Sequence, residues 1–171
     1  MFHCPAAALA AINWHEVGSS PNDKETNRIG HVLITVERQK DSESSFPEDD
    51  LMITVHSPGR KPSQYSITSA YGFGSVAIHQ NILLLKYGVG RGTWARVDHV
   101  KALRLDHDLD ELVDVQSSYY VQTNPHNAAP DLFQYHLKVQ MQGGYTTFTF
   151  SLSKPQPGIP TEKIARVKNG G

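Results

Sequence analysis

The stretch Leu132–Ser153, LFQYHLKVQMQGGYTTFTFSLS, decides the fold of this 171-residue chain. Apolar and polar residues alternate on both sides of Gly143-Gly144, which is the period of a β-strand with one buried face. A two-residue loop at these glycines suits the positive φ angles of hairpin turns. It puts apolar residues opposite one another on one face: Val139 with Phe148, Leu137 with Phe150 and Tyr135 with Leu152. A slip by one residue would mix the faces, so the sequence predicts this hairpin and its register.

Further strand-like segments precede the hairpin, and they are separated by polar or glycine-containing turns. These segments are Ile29–Glu37, Leu51–His56, Gln64–Ala70, Ser75–Gln80, Ile82–Tyr87 and Tyr119–Thr123. The run Ile82-Leu83-Leu84-Leu85 does not alternate, which predicts a strand buried on both faces. Apolar residues in Thr93–Leu105 fit either a helix or a bulged strand, and the neighbouring strands favour a strand.

Two short segments have helical signatures. In residues 5–17, Pro5 suits a first helical turn, the alanines that follow have high helix propensity, and Gly18 suits a C-terminal cap. Asp108 and Glu111 have capping-box spacing, which predicts the start of a second short helix. Between the first helix and the first strand, Ser19–Asn27 is polar and is interpreted as a linker.

The fold class predicted is mainly β: an antiparallel sandwich or barrel of about 8 strands with a short N-terminal helix and an extended C-terminal arm. The length suits one domain. We divide it into an N-terminal helix at 1–18 that packs on the sheet, an antiparallel β-domain at 29–153, and an arm at 154–171. Three prolines, at 155, 157 and 160, favour an extended path for the arm.

Composition excludes several classes of function. The chain has 16 Lys+Arg against 17 Asp+Glu and a formal net charge of -1, so we expect no nucleic-acid partner. Its single cysteine, Cys4, excludes an intramolecular disulfide. No apolar run approaches the length of a membrane span, and the N-terminal residues lack the basic region of a leader. We therefore expect no membrane association and a location in the cytoplasm or in a virion.

Glycine and acidic motifs give weak indications of bound ligands. The loop Gly88-Val-Gly-Arg-Gly92 lacks a Walker lysine and a following amphipathic helix, so we interpret it as a turn and expect no cofactor. Asp106, Asp108 and Asp110 have the spacing that opens an EF-hand loop, but Glu111 stands where that loop needs glycine. No metal is therefore expected, and these three aspartates are only weak candidates for a looser Ca²⁺ site.

The sequence contains residue types that are typical of protein–protein contacts, but no recognisable catalytic motif. Arg, Trp and Tyr are enriched at interface hot spots, and the predicted partner-binding residues are Tyr87, Arg91, Trp94, Arg96 and, on the arm, Lys163 and Arg166. No Gly-x-Ser-x-Gly elbow or His-x-His pair occurs, and catalytic residues are not identified. A hydrolase or metal-dependent enzyme, which ranks third among the hypotheses, would centre on His99, Asp106, His107 and Asp108.

The leading hypothesis is a non-enzymatic β-domain that acts through protein–protein contacts, as a structural or adaptor subunit of a homo-oligomer or a multi-protein assembly. Near-zero net charge permits close self-association. The alternative is a β-barrel that binds a small apolar ligand. That alternative draws on Asn13-Trp14-His15-Glu16-Val17, which resembles the first conserved segment of lipocalins over these five residues but lacks the glycine two places before Trp14. The resemblance implies a closed barrel with an apolar interior.

Overall fold

The computed structural model describes residues 11–17, 24–40, 49–89, 95–106, 108–121 and 133–169. These residues form eleven strands, and none of the described residues is helical. The strands are β1 His15–Glu16, β2 Lys24–Ile29, β3 Val32–Lys40, β4 Asp49–His56, β5 Ser63–His79, β6 Ile82–Val89, β7 Ala95–Arg104, β8 Asp110–Val121, β9 Phe133–Gln142, β10 Tyr145–Leu152 and β11 Glu162–Lys168. The mainly β, antiparallel class predicted from the sequence is confirmed.

The strands follow one another as an antiparallel meander. Each strand from β2 to β10 pairs with the strand that follows it in the chain, while β1 pairs with β5. Over the described residues the β8–β9 junction is narrow, and its pairs are Ser118–Gln134 and Tyr119–Phe133. Strands β2 and β11 are therefore the two edges of the described sheet, and β9–β11 form a C-terminal sheet attached through that narrow junction.

The predicted hairpin is confirmed in its register. Val139 lies opposite Phe148, Leu137 opposite Phe150 and Tyr135 opposite Leu152. Phe148 and Phe150 are 0% and 1% exposed, whereas the polar face is exposed or half-buried. Both turn glycines have positive φ angles, 60° and 77°, as a two-residue hairpin loop requires.

The core lies on both faces of β6, as its non-alternating sequence predicts. Leu83 and Leu85 belong to a cluster with residues of β3, β4 and β5. Ile82 and Leu84 point the opposite way, into a second cluster that contains Phe148 of β10 and residues of β9. The strands around β5 thus cover one face of β6 and β7, and the C-terminal sheet covers the other.

Strand β5 bends part-way along its length, and its first half lies over one of these two faces. The sequence predicted two strands here, but a single strand of 17 residues is present, and its pairing with β6 shifts register around Phe73 and Ser75. Gly74 lies at this irregularity, where a Cβ atom would come within 2.2 Å of the Lys86 carbonyl oxygen. Glycine therefore permits the close backbone approach, and the first half of β5, which contains Tyr65, lies across β7 and β8.

The prediction of an N-terminal helix is wrong for the residues that can be compared. Residues 11–14 have no regular structure and His15–Glu16 form β1, while residues 1–10 lie outside the described part of the chain. Ile12 and Trp14, which precede β1, are partly buried against the second core cluster. Pairing with the bend of β5, including a bond from Val17 N to Gly74 O (3.1 Å), outweighs the helical propensity.

The second predicted helix is also wrong. Asp108 and Leu109 have φ angles of 51° and 63° and form a turn, after which β8 begins at Asp110. Leu109 is 1% exposed, so its burial in the core favours the tight turn over a helical start. The ambiguous segment at 93–105 is strand over its described part, as predicted.

Strands β2 and β11 were not predicted. Strand β2 lies in the segment that we interpreted as a polar linker, and it pairs with β3 across the Gly30-His31 turn. Strand β11 lies in the predicted arm and pairs along its whole length with β10. The β-structure therefore extends beyond 29–153 on both sides. Among the described residues no helix is long and apolar enough to cross a membrane.

Candidate functional site

Six polar side chains from four strands meet on the face of β7 that the first half of β5 covers. Residues two apart on a strand share a face, so β7 presents both His99 and Lys101 there. Strand β8 pairs with β7 and places two carboxylates beside them. We call this group the polar cluster: Tyr65, Tyr87, His99, Lys101, Glu111 and Asp114.

Lys101 is the centre of the polar cluster. Its residue is only 8% exposed, and its Nζ donates to Tyr65 Oη at 2.9 Å. The same ammonium group lies 2.9 Å from Glu111 Oε2 and 3.3 Å from Asp114 Oδ2. An ammonium group has three protons and no acceptor, so these three oxygens satisfy it completely.

The charges of the polar cluster hold each other in the ionised state. Burial by itself would lower the pKa of Lys101, but the hydrogen bonds to Tyr65 and Glu111 raise that pKa above its ordinary value. Hydrogen bonds from Tyr65 and Lys101 lower the pKa of Glu111. Burial opposes ionisation of Asp114, yet His99 and Lys101 outweigh it and the pKa of Asp114 is lowered. Lys101 therefore remains charged and is unsuited to act as a nucleophile or base.

His99 and Asp114 form the part of the cluster that most resembles catalytic chemistry. His99 Nδ1 lies 2.8 Å from Asp114 Oδ1, and the two side chains are 28% and 30% exposed. Tyr87 Oη donates to Asp114 Oδ2 at 3.2 Å, and burial, followed by the charge of Asp114, raises the pKa of Tyr87 to about 12. A histidine held by a carboxylate becomes a general base only beside a group to deprotonate.

Within the described residues, no hydroxyl or thiol group forms a hydrogen bond with His99, so no protein nucleophile is paired with this histidine there. Within the same residues, every buried polar side-chain atom has a hydrogen-bond partner. The polar cluster is therefore an internally hydrogen-bonded network, in which the charges of Lys101, Glu111 and Asp114 are neutralised by one another.

Among the predicted contact residues whose side chains are described, Tyr87, Lys163 and Arg166 lie in different places. Tyr87 is 6% exposed and belongs to the polar cluster, so it is not available at the surface. Arg91 and Trp94 lie outside the described residues, and Arg96 lies in β7 without a described side chain. The two basic residues of the arm, Lys163 and Arg166, have different surroundings.

Lys163 holds β11 to the body of the protein, whereas Arg166 is at the surface. The Lys163 ammonium lies 4.7 Å from the centre of the Tyr135 ring and donates to the Gln116 carbonyl at 3.4 Å. The Arg166 guanidinium stacks over the Tyr145 ring at 4.0 Å on the exposed face of the C-terminal sheet. Of the predicted contact residues with described side chains, Arg166 is thus the one positioned for a partner.

The three aspartates that were weak metal candidates do not converge, because they have different hydrogen-bond partners or face solvent. Asp106 accepts from Asn81 at 3.2 Å, Asp108 accepts from Ser63 at 3.3 Å, and Asp110 is exposed at the start of β8. Within the described residues no three His, Cys, Asp or Glu side chains are placed to hold a metal ion. His107 is outside those residues, and His99 bonds to Asp114 instead of the aspartates proposed with it.

The gap between the covering strands and β6 is too small for a small-molecule ligand. It measures about 10 Å³ and is lined mainly by apolar residues that include Val36, Leu51 and Ile67. That volume is at the lower limit for a single water molecule. A second, more polar cavity of about 30 Å³ lies near Asn81 and Arg104 and has room for about one water.

The open edge of β11 has a feature that the sequence analysis missed. Ile164 is 61% exposed and is the exposed large hydrophobic residue of the described chain. Glu162 and Arg166 lie on either side of it on the same face, because alternate residues of a strand share a face. The alternation of Glu-Lys-Ile-Ala-Arg-Val-Lys could have revealed this strand, but the prolines before it favoured an extended arm.

The polar cluster and the β11 edge are thus the two features of this chain with chemistry to explain. Tyr65 and Lys101 were not nominated as site residues, since they are distant in sequence and meet through the bend of β5. The internal hydrogen bonding of the cluster is typical of a stabilising network, whereas β11, within the described part of the chain, is an edge strand with an exposed apolar side chain. No protein-family model, no curated protein and no solved structure matches this chain.

Proposed function

We propose that this protein is a non-enzymatic β-domain that acts through protein–protein contacts, as a structural or adaptor subunit of a larger assembly. The observation that carries this proposal is the exposed Ile164 on the edge strand β11. A strand at the edge of a sheet presents a row of unpaired N–H and C=O groups, which is a template for another chain. An exposed apolar side chain on such a strand gives a partner contact area in addition to backbone hydrogen bonds.

The neighbouring surface supports the same function. Arg and Tyr are enriched at interface hot spots, and the Arg166–Tyr145 stack lies beside Ile164 on the exposed face. The stack restrains the long arginine side chain, so less conformational entropy is lost when a partner binds it. The contact surface therefore combines an apolar residue, a restrained cation and an open strand edge.

The rival functions have less support from the same residues. An enzyme centred on His99 would be favoured by a nucleophile beside it, but no hydroxyl or thiol group of the described residues is hydrogen-bonded to that histidine. A ligand-binding barrel needs an interior space, but the covering strands and β6 pack closely. We propose a layered, sandwich-like arrangement in which both faces of β6 and β7 are filled by protein, so that contacts with partners are made at the outer surface.

The proposal is tested by measuring contacts made by the purified full chain. Light scattering coupled to size exclusion gives the solution mass, and cross-linking with mass spectrometry shows which lysines lie near a partner. We expect either self-association or a defined partner complex that Arg166→Glu weakens and Lys61→Glu does not, because Lys61 is exposed in the turn between β4 and β5. A chain that stays at 19.0 kDa and has no partner sensitive to Arg166→Glu would refute the proposal.

A further inference from the structure

The backbone of β11 shows which residues are available for pairing at its open edge. Leu152 N donates to Thr161 O at 2.9 Å, and Asn169 N donates to Gly144 O at 2.8 Å. Bonded and non-bonded residue pairs alternate along an antiparallel ladder, so the odd-numbered residues of β11 bond to β10. The even-numbered residues therefore direct their N–H and C=O groups to the open edge: Glu162, Ile164, Arg166 and Lys168.

Charge restricts how two copies of this edge could pair with each other. In a two-fold antiparallel pair the axis must pass through one residue of β11, since only even-numbered residues can bond across the edge. An axis at Lys163 or at Arg166 would put two like charges directly opposite each other, which is destabilising. The axis can therefore lie at Ile164 or at Ala165.

Contacts at the ends of the strand favour the axis at Ile164. An axis at Ala165 requires the carbonyl of Lys168 to bond across the edge, but that carbonyl already accepts from Arg104 Nη2 at 3.1 Å. The Ile164 axis leaves Lys168 opposite Pro160, which has no N–H and whose carbonyl accepts from Tyr135 Oη at 2.6 Å. The ladder then spans residues 162–166 of each copy and contains about six hydrogen bonds.

The side chains in this register are complementary. The two Ile164 side chains meet at the axis and cover each other. Glu162 lies opposite Arg166 of the second copy, and the symmetry produces this ion pair twice. On the other face Lys163 lies opposite Ala165 of the second copy, so no like charges meet.

We infer that β11 is a self-association edge, where two copies of this chain pair antiparallel about Ile164 and extend their sheets into one. This inference rests on the proposed function and names its partner as a second copy. The interface is short, below the size of stable protein complexes, so a reversible dimer is expected. Its formation would remove the unpaired backbone groups and the exposed isoleucine in one step.

The first test is the mass of the full chain at concentrations from about 1 to 500 µM, a range that covers weak to moderate affinity. We expect a shift from 19.0 kDa toward about 38 kDa, which is twice the chain mass. Ile164→Lys should raise the dissociation constant at least about tenfold, because it puts two ammonium groups at the axis. Gln140→Lys adds the same charge to the exposed face of β9 and should leave the dimer unchanged.

Disulfide trapping tests the register. Directly opposite residues of a bonded pair have Cα atoms roughly 5.5 Å apart, within the disulfide range of about 4.4–6.8 Å. In a Cys4→Ser background, Ile164→Cys should form a covalent dimer under oxidation, whereas Glu162→Cys should not. A dimer that Ala165→Cys captures and Ile164→Cys does not would overturn the proposed register.

The outcomes separate this inference from the proposed function. Self-association that is insensitive to Ile164→Lys would refute the β11 edge and leave a role in protein contacts intact. A full chain that remains monomeric throughout the range would also refute the self-pairing, and the proposed function would then stand or fall on the Arg166-dependent partner experiment.

Discussion

Replacement of Lys101 by methionine should destabilise the protein strongly, although methionine is also unbranched and is only slightly shorter than lysine. Lys101 is 8% exposed and is the only described cation that contacts Tyr65, Glu111 and Asp114 together. Methionine leaves both carboxylates without their ammonium partner. The network that closes over β7 and β8 would then contain two neighbouring negative charges.

The size of the effect follows from the exposure of the partners. Removing one member of a buried ion pair typically costs about 3–5 kcal/mol. Here Glu111 and Asp114 are 43% and 30% exposed, so water can partly resolvate them, and Asp114 keeps His99. We therefore expect a loss of about 2–3 kcal/mol, which corresponds to a fall in Tm of about 5–10 °C for a chain of this length.

Urea unfolding of the full chain at neutral pH measures this loss, and Lys138→Met is the matched control. Lys138 is exposed on β9 opposite Thr149, so its replacement should change the free energy of unfolding by less than about 0.5 kcal/mol. A double-mutant cycle with Asp114→Asn should show a coupling of about 1–2 kcal/mol. If Lys101→Met were as stable as the parent chain, the polar cluster would not be a stabilising network.

Four further measurements address the charges and the hairpin. The pKa of Asp114 is lowered in the folded chain, so its contribution to stability exists above the ordinary carboxyl pKa and is lost as the pH falls through the lowered value; the deficit of Asp114→Asn in urea unfolding should shrink in acid. The pKa of Tyr87 is raised to about 12, so stability should fall between its ordinary pKa of 10.0 and about 12 by up to about 1.4 kcal/mol per pH unit, and thermal melts of Tyr87→Phe should show a flatter alkaline fall. Gly144 has φ of 77° with open space around it, so Gly144→Val should cost about 1–2 kcal/mol from backbone strain alone, and Gly144→Asn clearly less. Phe148→Ala should cost about 3–5 kcal/mol in the same denaturation assay, since Phe148 is 0% exposed.

The parts of the fold that were predictable are those specified by local alternation. The hairpin of β9 and β10 has apolar partners in one register only, and two glycines mark its turn. The run at Ile82–Leu85 indicated burial on both faces before any partner was known. In both cases the information lies within about twenty residues, because the strand period and the turn chemistry are local properties.

The parts that failed depend on contacts distant in sequence. The helical signature of residues 5–17 is local, but His15 and Glu16 pair with β5 at its bend and form a strand instead. Strand β2 is polar because it is an edge with one exposed face, and polar edge strands resemble linkers. The polar cluster required the bend at Gly74, which brings Tyr65 to Lys101 across 36 residues of chain. Nothing in the local sequence of Tyr65 indicates that contact.

The two edges of the meander differ in a way that argues for β11 as the contact strand. A meander that does not close must end in strands with unpaired backbone groups, and proteins usually protect these strands with charged side chains. Strand β2 follows this rule: Lys24, Thr26 and Arg28 are its exposed residues, and Lys24 pairs with Glu37 at 3.7 Å. Strand β11 instead exposes Ile164 between charges of opposite sign. This pattern repels another strand less than the charged edge of β2 does, and it is complementary to its own antiparallel copy. The residues of β11 therefore favour protection of this edge by pairing with a second copy.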